Sequence, residues 1–398
     1  MKVLFIHSYY LIRGGEDFVF EQEQKLIAES GQVRAVAFAN RPGARGGLQF
    51  FLSIWNMGAA RKLKRAIREF RPDVIHCHNL HFGIGPLAIR VASKMGIPVV
   101  MTLHNYRLIC PSGTLLLNGA IFTESIHSAF PWKAIRQKAY RNSIPLTFWL
   151  AFINWFHKQI GTWKQVDRFI VLTEFARSVI ADASLGIPAE KIVIKANFAD
   201  PVTTSPAGRQ ELFLFVGRLS GEKGVPLLLE SFGQSHHKLQ IAGEGPLKEM
   251  VEEACKKHAN ITFLGPLSKP SVLEAMSAAT ALIFPSIWFE GLPLTIIEAF
   301  ASGTPVIASN LGAMASIVVD GYNGLHFEAG NAGALLGQLE EWERKTSEEK
   351  AIYSRNALAS YQANYTADKN RENIMAIYHD LTRNVNRQLN TDLSKSIG

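Results

Sequence analysis

Short apolar runs recur along this chain, and between them apolar residues return every three or four positions, the pattern of buried strands joined by amphipathic helices. The first half predicts strands near Val3–Ile6, Val33–Phe38, Val74–His78, Val99–His104, Phe169–Thr173 and Ile192–Asn197. The second half predicts them near Leu212–Val216, Leu239–Ala242, Ile261–Leu264, Ala281–Pro285 and Val306–Ala308. Strand and helix alternating throughout argue for an α/β chain with doubly wound parallel sheets. The stretch DPVTTSPAGRQE, Asp200 to Glu211, is rich in Pro, Thr, Ser and Gly and has no apolar period, so it reads as a linker between two sheets.

Composition sets bounds on this picture. A chain of 398 residues is expected to form two domains of about 200 residues, each able to bury its own core. Apolar residues are 47% and charged residues 19%, ordinary for soluble α/β proteins. Cys77, Cys110 and Cys255 have no paired spacing, which points to a reducing compartment without a disulfide framework. Only a short apolar strand precedes His7, so no signal peptide is expected. No apolar stretch reaches the roughly 18 residues that span a bilayer. The expected location is the cytoplasm. The net charge of +8 comes with no nucleic-acid-binding motif, so no nucleic-acid partner is expected.

The chemistry-bearing segments fall where strands end. In PSIWFEGLPLTIIEAFASG, Pro285 to Gly303, a Gly-Leu-Pro turn opens a helix, and Glu290 and Glu298 stand seven residues apart across it. Pro293 suits the first turn of that helix, and Gly303 with Pro305 ends it. Free amides of Leu294 and Thr295 at the carboxyl edge of a sheet suit a phosphate, with Gly291 and Leu292 in the approach to them. Glu298, about one turn inside, comes within reach of a ribose diol, while Glu290 stays in the loop. The plainer alternative is that Glu298 only complements the helix dipole and Glu290 only caps. Upstream, FVGRLSGEKGVPLLLESF repeats strand, Gly-rich loop and helix with Gly217, Arg218 and Lys223 in the loop. Two cations there suit a diphosphate, one as a planar fork and one as a point charge. The alternative is a solvated turn whose Glu222 pairs with a neighbouring cation. LQIAGEGP repeats the arrangement with Gly243 and Gly245.

In this order, R-x4-K, GEGP and then E-x7-E, the constellation resembles the carboxyl-terminal domain of retaining glycosyltransferases of family 4, the "glycosyl transferases group 1" with the GT-B architecture. Near the amino terminus, KVLFIHSYYLIRGGEDFVFEQE looks like that family's first strand, its Gly14–Gly15 loop and its first helix. RPDVIHCHN and TLHNYRLICPSG resemble family segments at the cleft, the second with His104 facing the donor sugar. The resemblance implies two Rossmann-like domains, 1–203 for the acceptor and 204–365 for the nucleotide sugar, facing a cleft, with a terminal helix near 366–385 returning to the first. It implies that Arg218 and Lys223 hold the diphosphate, joined by the backbones of Gly14, Gly15, Gly217, Gly243, Gly291, Leu292, Leu294 and Thr295. Glu298 would bind the ribose, Glu290 the sugar hydroxyls, and His104 would orient the sugar. His104, Arg218, Lys223 and Glu290 would be the catalytic set, acting by front-side attack with no dedicated base. No cofactor is implied beyond the nucleotide sugar as substrate. A GT-B epimerase, a phosphorylase and a non-catalytic sugar-nucleotide-binding protein are the alternatives.

Two further groupings bear on partners. His76, Cys77, His78, His81, His104 and Cys110 are near one another in sequence, but period-two spacing along a strand also lines a cleft without any metal. Where resembling sequences carry further cysteines this chain has Phe122, Ser125 and Ala139, so no metal site is assigned. The second grouping concerns membranes. ARKLKRAIREFRP, from Ala60, sets Arg61, Arg65 and Arg68 on one helical side and Leu63, Ala66, Ile67 and Phe70 on another. In IPLTFWLAFINWFHKQIGTW, Leu146, Trp149, Leu150 and Ile153 form one apolar stripe, and Phe148, Phe152 and Trp155 form a second. A second stripe needs a partner, which a lipid-linked acceptor, the inner face of a membrane or a dimer contact would supply. A helix buried on all sides is the alternative.

The chain contains no D-x-D sequence to hold a divalent ion on a diphosphate, which leaves that charge to Arg218 and Lys223. Glycosyl transfer is therefore expected to survive exhaustive chelation. An assay in excess chelator checks this, and activity that disappears and returns with one divalent ion would show that the phosphate site is misread.

Overall fold

The computed structural model describes residues 1–11, 13–202 and 208–396, with side chains in the last helix described as far as residue 383. Two compact units emerge: Met1–Gly113 with Phe122–Lys195 and the chain from Arg371 onward, and Ala196–Asn370 with the short segment Thr114–Ile121. The division expected at 203/204 lies outside the described residues. The change between units falls earlier, after Lys195, and the chain re-enters the first unit at Arg371.

The first unit holds six parallel strands, β1 (Lys2–Tyr9), β2 (Gln32–Ala39), β3 (Val74–Cys77), β4 (Val99–Thr102), β7 (Arg168–Val171) and β8 (Ile192–Ile194), in the order β2-β1-β3-β4-β7-β8. The two-residue strands β5 (Leu116–Leu117) and β6 (Ala120–Ile121) form a hairpin in the segment that groups with the second unit. Its helices are α1 (Gly15–Ala28), α2 (Gly43–Leu52), α3 (Met57–Phe70), α4 (Leu87–Lys94), α5 (Trp132–Arg136), α6 (Ile144–Gln159) and α7 (Glu174–Asp182). Every residue of β3 and β4 is buried, as parallel strands covered on both faces must be. Side-chain caps decide several helix starts: Asn56 accepts from Ala59 N–H, Ser143 from Leu146 N–H and Thr173 from Ala176 N–H. The cap at Thr173 ends the preceding strand at Val171, two residues before the pattern predicted, and His104 likewise falls in the loop beyond β4.

The second unit has its own six-stranded parallel sheet, β9 (Gln210–Val216), β10 (Leu239–Ala242), β11 (Ile261–Gly265), β12 (Ala279–Phe284), β13 (Val306–Ser309) and β14 (Gly324–Phe327), ordered β11-β10-β9-β12-β13-β14. Its helices are α8 (Val225–Gly233), α9 (Lys248–Lys257), α10 (Lys269–Ala278), α11 (Leu294–Ala301), α12 (Gly312–Ile317), α13 (Ala332–Arg344) and α14 (Ser347–Asn364). β9 lies between β10 and β12, so the winding reverses there and the loops at its carboxyl end diverge to open a crevice. A core of Phe213, Phe215, Leu228, Ile241, Ile283 and Trp342 sits against this sheet. The last helix, α15 (Ala367–Ser396), puts Ile374, Tyr378 and Leu381 into the first unit's core with Val3, Phe5, Val100 and Ile170.

The helix α6 is not buried on all sides. Leu150 and Ile153 pack with Phe50, whereas Phe148 is exposed and stacks with Phe152 and then Trp155 along the outer stripe. On α3, Leu63, Ala66 and Ile67 are buried and Arg61, Arg65 and Arg68 exposed. Among the described residues no helix is long and apolar enough to cross a membrane.

Two buried histidines make the fold sensitive to acid. His157 on α6 bonds Ile54 O through Nε2 at 2.8 Å and Thr162 Oγ1 through Nδ1 at 2.9 Å, which uses both nitrogens of a neutral ring. Burial pushes its pKa down to about 4, and burial does the same to His7 despite its bond to Asp17. The unfolded chain takes up these protons near pH 6.5, so between about pH 6.5 and 4 it binds more protons than the folded state. Stability is expected to fall as pH drops through that window and to stop falling on this account below about pH 4. Urea titrations at a series of pH values check it, and a midpoint flat from pH 7 to 4.5 would contradict it.

Candidate nucleotide-sugar site

Three loops at the carboxyl ends of β9, β10 and β12 are stitched together through their backbones. Gly217 N–H donates to Ala242 O at 3.1 Å, Leu219 N–H to Glu244 O at 2.8 Å, and Leu247 N–H to Leu219 O at 3.0 Å. The chains approach so closely that a Cβ at Gly243, φ +147°, would be driven into the carbonyl oxygen of Gly217. On the other side Ile287 N–H donates to Glu222 O at 3.0 Å, and a Cβ at Gly224, φ +73°, would strike the carbonyl of Pro285.

This stitching fixes the charged residues. Lys223 ends a single 3₁₀ turn, Gly221–Lys223, and reaches across the β9/β12 crevice to Glu290 Oε1 at 2.7 Å. The same oxygen accepts from Ser286 Oγ at 2.8 Å and Trp288 Nε1 at 2.6 Å. Among the described residues nothing donates to Oε2 of Glu290. The Lys223 ammonium also lies 5.4 Å from the Trp288 ring centroid. Arg218 is exposed and has no ion-pair partner among the described residues. Glu222 pairs with no cation among the described residues and accepts from Ser220 Oγ at 2.7 Å. Pro293 takes the N-cap position of α11 with an extended backbone, one residue before the position predicted, so Leu294 and Thr295 are the first helical residues, whose amides the helix does not use. Gly291 is half-buried and Leu292 buried in the approach to that helix. Glu298 is ion-paired with Lys269 at the start of α10.

In the first unit, Gly14 caps α1 and its own amide donates to Asp17 Oδ2 at 3.1 Å, so Gly15 carries the amide of the pair left unused by that turn. A Cβ at either glycine would meet nothing within 4 Å, so packing inside this unit does not demand them. His104 belongs to a buried relay: its Nε2 lies 2.9 Å from His78 Nδ1, His78 Nε2 lies 3.1 Å from Glu23 Oε2, and Lys195 Nζ lies 2.6 Å from Glu23 Oε1. Burial alone would raise the Glu23 pKa, but the Lys195 charge and the His78 hydrogen bond hold it well below the usual carboxylate range. Burial pushes His104 and His76 well below the usual histidine value, so both are neutral. A single ring proton bridges His78 Nδ1 and His104 Nε2, on one nitrogen or the other according to tautomer. Glu23, His76 and His78 come within 4.8 Å of one another, the spacing of a metal set. Yet His76 already bonds Tyr378 and Thr102 through both ring nitrogens at 2.7 Å, and Glu23 is committed to Lys195.

Residues 200–359 match the family described as glycosyl transferases group 1, and residues 12–202 match glycosyltransferase family 4. The chain belongs to glycosyltransferase family 4. This glycosyltransferase is 25% identical over 357 residues to an uncharacterised glycosyltransferase of Methanocaldococcus jannaschii, covering 86% of this chain and 88% of the relative. It is 26% identical over 296 residues to the phosphatidyl-myo-inositol mannosyltransferase of Mycolicibacterium smegmatis, covering 71% and 66%. The crystal structure of Anabaena HepE in complex with UDP superposes with a TM-score of 0.68 at 17% identity, over 96% of this chain and all of that one. The fold is GT-B, and the activity is glycosyl transfer.

Sequence patterns marked Lys223, Glu290 and Glu298 in this glycosyltransferase but not their partners. Trp288 and Ser286 lay inside the quoted segment with no spacing to single them out, and Lys269 opens a different helix. Lys195 and Glu23 are far apart in sequence, and only the fold brings a charge from β8's end to one on α1. The glycine contacts generate a test. Gly243→Ala is expected to part the β9 and β10 loops and weaken nucleotide binding at least tenfold. Gly337→Ala on α13, where a Cβ meets nothing within 4 Å, is expected to leave binding unchanged and to stabilise by about 0.5–1 kcal/mol. Titration calorimetry with a nucleoside diphosphate separates the two.

Proposed function

We propose that this glycosyltransferase moves a hexosyl group with retention at the anomeric carbon, and that its acceptor is a hydroxyl of a lipid-linked or cell-surface polysaccharide intermediate. The observation that carries the donor half is the Lys223–Glu290 pair beside the opening of α11 at the carboxyl edge of the second sheet. There Arg218 and Lys223 hold the diphosphate with the amides of Leu294 and Thr295, Glu298 takes the ribose hydroxyls, and Glu290 takes hydroxyls of the sugar. The anomeric C–O bond to phosphate breaks as the acceptor oxygen bonds the same face of that carbon. The acceptor proton passes to the departing phosphate oxygen, so no separate base is required.

The acceptor half is supported by the exposed basic face of α3, by the outer aromatic stripe of α6, and by the likeness to an enzyme named for a phosphatidylinositol acceptor. Those surfaces favour work at the cytoplasmic face of a membrane, without a span.

Lys223 gains most as charge builds on the leaving phosphate, so Lys223→Ala is expected to lower turnover about a hundredfold and donor binding much less. Glu298→Ala should instead raise the donor's apparent binding constant. Steady-state kinetics on folded variants resolve the two effects, and near-normal turnover in Lys223→Ala would remove the assigned role. Proton coupling constants of the product read the anomeric configuration, and an inverted linkage would discard retention.

A further inference from the structure

Apart from the residues assigned above, the first unit contains a groove of about 580 Å³ whose lining includes Tyr10, Arg41, Phe82, Arg107, Tyr140 and Arg141 and no carboxylate. Phe50, Phe82 and Tyr140 form its aromatic floor, with Phe50 and Phe82 edge to face at 4.7 Å. None of the three arginines has an ion-pair partner among the described residues. Arg41 and Arg141 are exposed, and the Arg141 guanidinium lies 5.6 Å from the Tyr140 ring centroid. Arg107 is deeper: Nη1 donates to Tyr10 Oη at 3.3 Å, and Nε is buried with no hydrogen-bond partner. Glu16, the carboxylate nearest in influence, already accepts from Asn105 Nδ2 at 2.5 Å. A guanidinium that lines the groove without a carboxylate partner suits a phosphate oxygen entering it.

Backbone geometry focuses the groove further. Pro42 and Gly43 line it at the start of α2, whose first turn has no acidic residue, so the positive end of that helix faces the same space. Arg141 itself is held at φ +51°, next to Asn142 at +52° and three residues after Lys138 at +55°, a left-handed conformation unusual for side chains of this kind.

The neighbouring surface is apolar. Leu48, Phe51 and Leu52 on α2 are 60%, 57% and 51% exposed, and Trp132 on α5 is 56% exposed. Phe51 stacks on Trp149 at 4.4 Å, and Trp132 and Phe130 meet Phe148 on α6, so these side chains form one continuous aromatic face beside the cations. A soluble sugar phosphate would use the arginines and leave that face unused. A lipid phosphate would use both.

We propose that the groove formed by Arg41, Arg107 and Arg141 binds the phosphate or diphosphate of a lipid-linked acceptor, with the lipid chain lying on the exposed face of α2 and α6. This names the acceptor class for the transfer reaction proposed above and rests on that reading for its purpose, but the binding itself does not require a donor. The test therefore uses the full chain with no nucleotide sugar present. Flotation with phosphatidylcholine vesicles containing a long-chain alkyl phosphate is compared with vesicles containing the matching alcohol, with soluble pyrophosphate as competitor. The expected result is uptake only onto the alkyl phosphate vesicles, reduced at least tenfold in Arg41→Ala/Arg141→Ala and in Arg107→Gln, and reduced by pyrophosphate. Changing Arg61, Arg65 and Arg68 on α3 to Ala should preserve the preference for phosphate over alcohol. Nucleoside diphosphate binding, measured by thermal shift, should match the parent in every variant and shows that each is folded. Equal uptake onto both vesicle types, or uptake unchanged by the arginine substitutions, would overturn the proposal. Tight binding of soluble pyrophosphate that is lost in the groove arginine variants, without vesicle uptake, would replace the lipid by a soluble phosphorylated acceptor and overturn it equally. Loss of transfer chemistry with groove binding intact would indict the donor reading instead.

Discussion

The closeness of three backbone segments in the second unit governs what the charged residues there can do. Parallel strands deliver their loops to one edge, but side chains would ordinarily hold neighbouring loops apart by several ångströms. At Gly243 against Gly217, and at Gly224 against Pro285, there is no room for even one carbon atom. That proximity lets a lysine from the loop after β9 reach a glutamate from the loop after β12 without extending into solvent. It also fixes which oxygen of Glu290 is occupied, since Ser286, Trp288 and Lys223 converge on a single one. Geometry of this kind is prepared before a substrate arrives, the condition under which fixed charges lower a barrier most.

The first unit solves a different problem. It buries a lysine and a glutamate completely, and removing two charges from water costs several kcal/mol per ion unless each finds its partner. Glu23 faces the Lys195 ammonium with one oxygen and the His78 ring with the other, and His78 is bonded in turn to His104. The imidazole that closes this relay keeps its ring orientation through the ion pair behind it. A histidine positioned by a buried charge is therefore less free to swing than one in an exposed loop, even though it lies beyond the end of its strand.

The sheets were legible in the sequence because most strands carry an apolar run, as VLFI in β1 and LFLFV in β9, bounded by turn residues or a helix cap. All eleven strands expected from that pattern appear, with ends moved by a few residues where a side chain such as Thr173 caps the next helix. What escaped was short or distant. GLHF, Gly324–Phe327, forms β14 at a sheet edge, too brief for a period to show, and the hairpin at Leu116–Ile121 has two residues per strand. The arginine groove escaped because its residues come from five separate stretches, and nothing local distinguishes Arg107 from any loop arginine. Partner identity, as for Lys269 with Glu298, is a tertiary fact that spacing along one helix cannot encode.

The return of α15 to the first sheet has a consequence for how the chain is made. Tyr378 closes the core around Val3, Phe5 and Ile170, and its hydroxyl bonds the buried His76. A ribosome finishes every strand of the first sheet by Ile194, then must produce the whole intervening segment to Asn370 before that core receives its last helix. At ordinary rates of synthesis this interval is on the order of ten to thirty seconds. At its end the second unit has all its own parts, while the first has waited with an apolar flank uncovered. The later-made domain is thus the one that matures first, and the nascent first domain is where a chaperone would have work.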